Sequence, residues 1–138
     1  MRKASLLIGI CMIVALAMTL MGQSIEEQLS PVMKQIAGSM QALRKGIDSK
    51  SAADAATDAE KLQGLFTQAA GIFKSKNAGD VAKSAKASAG LAADVMKAVK
   101  AGNFDAASES AGALQKSCKA CHDVHREQLP DKTYKFKP

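Results

Sequence analysis

Beyond residue 23 the chain repeats apolar residues at alternating spacings of three and four through four successive segments, a period that suits helix and not strand. Abundant alanine and few β-branched clusters agree with that period. The first stripe holds Ile25, Leu29, Val32, Met33, Ile36, Met40, Leu43 and Ile47, with Ser24 and Glu27 at capping-box spacing and residues 46–49 closing it. The second segment spans about residues 51–75, with Ala55, Ala59, Leu62, Phe66, Ala69 and Phe73 on its stripe and Leu65 and Ile72 widening it. Ser51 with Asp54 is its candidate cap, and Asn77-Ala78-Gly79 is the next break. The third, about residues 80–100, carries Val81, Ala85, Ser88, Leu91, Ala92, Val95 and Val99 up to the break at Gly102-Asn103. The fourth carries Phe104, Ala107, Ala111, Leu114, Cys118 and Cys121. Four amphipathic helices with short links predict an all-α fold, an antiparallel up-down-up-down four-helix bundle. Pro31 interrupts the first segment, so that helix either kinks there or begins at Ser30 with Pro31 in first position. Residues 129–138 hold two prolines and no helical period, and read as an extended or mobile tail.

The fourth stripe runs into Cys118-Lys119-Ala120-Cys121-His122. Two thiols with two residues between them, followed at once by an imidazole, form the attachment pattern of a c-type haem. The sulfurs can form thioethers to two vinyl groups on one porphyrin edge, and the adjoining histidine can bind the iron from its proximal face. One haem c, covalent through Cys118 and Cys121 with His122 on the metal, is the cofactor this pattern implies. Both cysteines continue the buried face of the fourth helix, so a porphyrin would supply the apolar bulk that the alanine-rich stripes lack. A redox dithiol would need a thioredoxin-like βαβ context, and a zinc site would have only His125 nearby to complete four ligands. His125 cannot reach the opposite haem face from the same helix and reads as a surface histidine. Phe66, Phe73 and Phe104 read as core, and no convergent acid, base and nucleophile set indicates an enzyme.

Residues 1–22 read as a signal peptide. Arg2 and Lys3 precede an apolar stretch over residues 6–14, and cleavage fits after residue 17 or 22. The mature domain is then residues 23–138, exported to the periplasm. The alternative is an uncleaved membrane anchor, since the uncharged stretch over residues 4–25 is just long enough to span. Cys11 would leave with the leader, and both remaining cysteines belong to the motif. Loss of Arg2 and Lys3 takes the 19 basic residues to 17 against 13 acidic, a balance of +4. Two haem propionates would bring it to about +2, enough to favour an acidic redox partner. The charge is too small and too dispersed among alanines to indicate nucleic acid.

A haem motif near the C-terminus of a four-helix chain resembles the class II c-type cytochromes, the cytochrome c prime family. The resemblance covers residues 24–126 and is strongest over residues 101–126, with their Ala-Gly-Asn-Phe-Asp opening and Cys-x-x-Cys-His-x-x-x-Arg ending. It implies a distal residue on the first helix, which Met33 matches, with Lys34, Gly38 and Met40 following. Met33 would then ligate the iron, as in the low-spin subgroup, or form a non-bonding lid, as in the high-spin subgroup. Met40 would pack. Arg126 matches the arginine beside the proximal histidine and so a cofactor-binding role, whereas Leu29 stands where the family often has a propionate-holding arginine. The family is often dimeric through its first two helices, so a homodimer is among the implied partners. The function implied is one-electron transfer between redox partner proteins, after maturation by the haem-attachment machinery. The alternative is a five-coordinate haem that binds or senses NO or CO. In the former case Met33 and His122 should face each other across an apolar gap.

Overall fold

The structure, a computed structural model, describes residues 22–138. The segment read as a leader, Cys11 included, lies outside the described residues except for Gly22. The described residues form four helices, α1 (Ile25–Asp48), α2 (Ala52–Ser75), α3 (Gly79–Lys100) and α4 (Phe104–His125), then two short strands, β1 (Arg126–Gln128) and β2 (Tyr134–Phe136). The helices form the antiparallel up-down-up-down bundle expected from the four stripes. Among the described residues no helix is long and apolar enough to cross a membrane.

Helix α1 starts where its capping box places it. The Ser24 hydroxyl accepts from the Glu27 amide at 3.1 Å, and the Glu27 carboxylate accepts from the Ser24 amide at 2.8 Å. The helix runs unbroken past Pro31, which is exposed, so the start at Ser30 does not occur. The pair Ser51 and Asp54 behaves differently from a cap. The Ser51 hydroxyl donates to the Asp54 carboxylate at 2.6 Å and leaves the first amides of α2 uncapped by its side chain. Asn103 caps α4 by accepting from the Ala106 amide at 3.0 Å.

The three helix links share one backbone design. Each has three residues, and the middle one, Lys50, Asn77 or Gly102, has φ of 55°, 60° or 70°. The next amide reaches five residues back, Ser51 to Gly46, Ala78 to Phe73 and Asn103 to Ala98, at 2.9–3.0 Å. The middle amide reaches three back, which completes the Schellman pattern and satisfies the last carbonyls of each helix. Such tight reversals force antiparallel neighbours. Packing is closest between α2 and α3, then α1 and α2, then α3 and α4, and among neighbouring helices α1 and α4 touch least.

The core follows the stripes. Leu29, Val32, Ile36, Leu43 and Ile47 of α1 meet Ala55, Ala59, Leu62, Phe66 and Phe73 of α2. Val81, Ala92, Val95 and Val99 of α3 and Ala107, Ala111 and Leu114 of α4 complete it. At the α1–α2 crossing Gly46 lies so close to Ala55 that a Cβ would stand 3.0 Å from its backbone nitrogen.

The tail departs from expectation. It pairs as a hairpin with Arg126 opposite Phe136 and Gln128 opposite Tyr134. Pro130-Asp131 makes the turn, closed by the Lys132 amide donating to the Leu129 carbonyl at 2.9 Å and by Thr133 bonding to the Asp131 carboxylate. Phe136 returns to the bundle and its amide donates to the Glu26 carboxylate at 3.1 Å. Burial pushes the Glu26 carboxyl up. Hydrogen bonds from its own and the Phe136 amides and from Ser24, with the charge of Lys135, outweigh that and hold it below the usual carboxylate range.

Two substitutions test these local arguments by thermal unfolding. Lys50→Gly removes a side chain from a left-handed position and should raise stability by about 1 kcal/mol. Ser39 is 3% exposed and its hydroxyl has no partner, so Ser39→Ala should be stabilising by up to about 1 kcal/mol. A lowered melting temperature in either variant would contradict the corresponding argument.

Candidate functional site

A cavity of about 250 Å³ lies where α1 and α4 part. Met33, Ile36, Ala37, Met40, Gln41 and Arg44 line it from α1, and Gln115, Ser117, Cys118, Cys121 and His122 line it from α4. Phe66, Ala69 and Phe73 of α2 and Ser84, Ala85 and Ser88 of α3 form the rest of its wall. Its surface is overwhelmingly apolar. Ala37, Gln41, Arg44 and Gln115 are exposed, so the cavity meets solvent on the α1–α4 side.

Four of the five expected site residues converge here. Cys118, Cys121, His122 and Met33 are half-buried, and all line the same space from helices at opposite ends of the sequence. The helical period does this work. Cys121 and His122 follow Cys118 by three and four residues on α4, and Met33 lies one residue after the buried Val32 and three before the buried Ile36 on α1. Arg126, the fifth, does not line the cavity. Its backbone is extended, with φ −123° and ψ 121°, because α4 ends at His125, and its guanidinium lies 3.3 Å from the centre of the Tyr134 ring. Met40, expected only to pack, is a second thioether in the wall. Phe66 and Phe73 line the cavity, whereas Phe104 lies at the opposite end beside the last link.

Burial pushes the Cys118 thiol up, and the neighbouring Cys121 adds to it. Burial also raises Cys121, with Asp80 reinforcing. Both cysteines are free thiols. Burial lowers His122, the charge of Arg126 lowers it further, and Asp123 opposes. At neutral pH the site therefore presents two protonated thiols, a neutral imidazole with a free ring lone pair, and at least one thioether. Among the described residues no three His, Cys, Asp or Glu side chains gather to hold a bare metal ion.

Five polar side chains of the wall, Arg44, Ser84, Ser88, Gln115 and Ser117, are already engaged. Ser88 is buried and donates to the Ser84 carbonyl at 3.1 Å, so the 2.6 Å contact between Ser88 and Ser117 has Ser117 as donor. Ser84 in turn donates to the Asp80 carbonyl at 3.3 Å. Arg44 donates to the Gln115 side chain across the opening. Ser88 was visible in the sequence as a polar member of the third stripe. The Arg44–Gln115 bridge had no sequence signal, because it depends on how α1 and α4 align.

Comparison with protein-family models and with curated proteins found no match.

The thiol environment is open to a direct check on haem-free folded chain. At pH 8 iodoacetamide should modify Cys118 and Cys121 at least several-fold more slowly than in the urea-unfolded chain, followed by peptide mass. Equal rates would contradict the burial that raises both thiols.

Proposed function

We propose that this chain is a monohaem c-type cytochrome of the class II, cytochrome c prime-like kind, a one-electron carrier with His122 and Met33 as axial ligands. One observation carries the reading: both thiols, the imidazole and the thioether line a single apolar cavity between α1 and α4. The Cys-x-x-Cys-His motif alone could sit on any exposed helix. Here it lies against a gap in a core built largely from alanine.

The residues fit the group in kind. Cys118 and Cys121 would hold the group through two thioethers, each the net addition of one S–H across one vinyl double bond. The α-helix holds the two cysteines three residues apart on one face. His122 is kept neutral by burial, which leaves a ring nitrogen able to bind iron without first losing a proton. Ile36, Phe66, Phe73 and Ala85 would give the group an apolar wall. Met33 and Met40 are seven residues apart, about 10.5 Å along α1, so a straight helix offers the metal one of them and not both. The cavity is smaller than the roughly 300–1,000 Å³ of small-molecule sites. A larger group would be admitted by separation of α1 and α4, the neighbouring pair with the least direct packing to lose.

When bound, the haem supplies a reversible one-electron couple, and a His/Met axial pair raises its potential and leaves no open coordination position. The exposed rim at Ala37 and Gln41 is where a redox partner protein would approach. Export of residues 23–138 to the periplasm and maturation by the haem-attachment machinery belong to the same proposal.

Visible spectroscopy of exported, matured protein tests it. The reduced form should be low-spin and unaffected by carbon monoxide. Met33→Ala should turn it high-spin and carbon monoxide-responsive, whereas Met40→Ala should leave it low-spin. A wild-type spectrum that is high-spin and shifts with carbon monoxide would replace the carrier with a five-coordinate, gas-binding haem protein.

A further inference from the structure

We propose that the C-terminal segment, residues 126–138, is a strap that fixes the spacing of α1 and α4 and thereby holds Met33 within bonding reach of the iron. The proposal rests on the haem reading above. It starts from a mechanical fact. The two helices that carry the candidate axial ligands are, of the four neighbouring pairs around the bundle, the pair that packs least. Each is seated on its sequence neighbour, and the cavity occupies the space between them. Direct packing contributes less to their separation than to that of the other neighbouring helices.

Two bridges span the gap. At one end Arg44 bonds to Gln115, an exposed side-chain contact. At the other end the tail folds back, and Phe136 alone engages three helices. Its ring packs on Phe73 of α2 with centroids 5.5 Å apart and stacks on His125 of α4 at 5.9 Å and 18°. Its amide donates to Glu26 of α1 at 3.1 Å. Lys137 locks the return: its amide donates to the His125 carbonyl at 2.9 Å, and its carbonyl lies 2.9 Å from His125 Nδ1. His125, expected at the surface as a bystander, is therefore half-buried and committed to the strap.

The attachment points are close to the ligands. His125 is three residues past His122, one turn of α4. Glu26 is seven residues before Met33, two turns of α1. Phe73 is itself part of the cavity wall. The strap thus links the segments bearing His122 and Met33 at the end of the bundle where the helices would otherwise be free to splay. Most of the strap is exposed, and Phe136 is the member packed against the core, so its hold on the bundle concentrates in one side chain.

The test compares exported, matured wild type, Phe136→Ala, Phe136→Tyr, and a chain ending at Gln128. Haem content is read by protein mass, and coordination by the reduced spectrum with and without carbon monoxide. The strap predicts wild-type haem content in all four. It predicts a new high-spin, carbon monoxide-binding fraction of at least a tenth in Phe136→Ala, a larger one in the truncated chain, and near-wild-type behaviour in Phe136→Tyr. Haem-loaded Phe136→Ala and truncated proteins that stay fully low-spin and silent to carbon monoxide would overturn the strap and leave the haem reading standing. If the truncated chain does not fold, Phe136→Ala against Phe136→Tyr decides. A wild type that is loaded but already high-spin overturns the strap, since Met33 is then not bonded. A wild type with no haem overturns the underlying reading as well.

Discussion

The incomplete closure between α1 and α4 governs the rest of this structure. A bundle of four stripes normally closes when its first and last helices pack. Here the stripes spend so many positions on alanine that the core closes tightly around α2 and α3 and leaves apolar space on the remaining side. That space is what gives the two cysteines, His122 and Met33 a common environment. It raises the thiols and lowers the imidazole by the same cause, removal of water from charged forms. A filled core would have buried these groups against side chains or pushed them to the surface. Neither arrangement could receive a flat cofactor.

Much of the fold was legible because it depends on local rules. The Ser24–Glu27 capping box, the three breaks and the stripe residues are all short-range features, and each sits where its chemistry puts it. The misses are equally local in cause. Ser51 and Asp54 have capping spacing, but the hydroxyl proton goes to the carboxylate and not to solvent, so the pair satisfies itself. The helix start at Ser30 that Pro31 offered does not occur, because a helix already nucleated by a good cap and buried at Val32 and Ile36 continues through it. The tail, read as extended or mobile for its two prolines and missing helical period, hides a hairpin because Pro130-Asp131 makes a reversal between two short extended runs.

The site was legible in its chemistry and only partly in its geometry. Cys118, Cys121 and His122 declare themselves by spacing. Met33 entered through family resemblance, and the cavity gives it a place without excluding Met40 from the same wall. Arg44, Gln115 and Phe136 could not be read from sequence, because their roles follow from the register of α1 against α4 and from the tail's return, which are long-range properties. Arg126 shows the same limit. A motif position four residues past His122 would be on the helix face if α4 continued, but the helix ends at His125 and the side chain turns to Tyr134.

The central claim is a covalent porphyrin joined to α4 inside the bundle. Its most direct test is a peptide mass map of the exported, matured protein. The account predicts that the peptide containing Cys118 and Cys121 carries the mass of one haem, with no free thiol left on either residue. A peptide at its unmodified mass, with both thiols free or joined to each other, from protein matured under conditions that load a known c-type cytochrome, would contradict it.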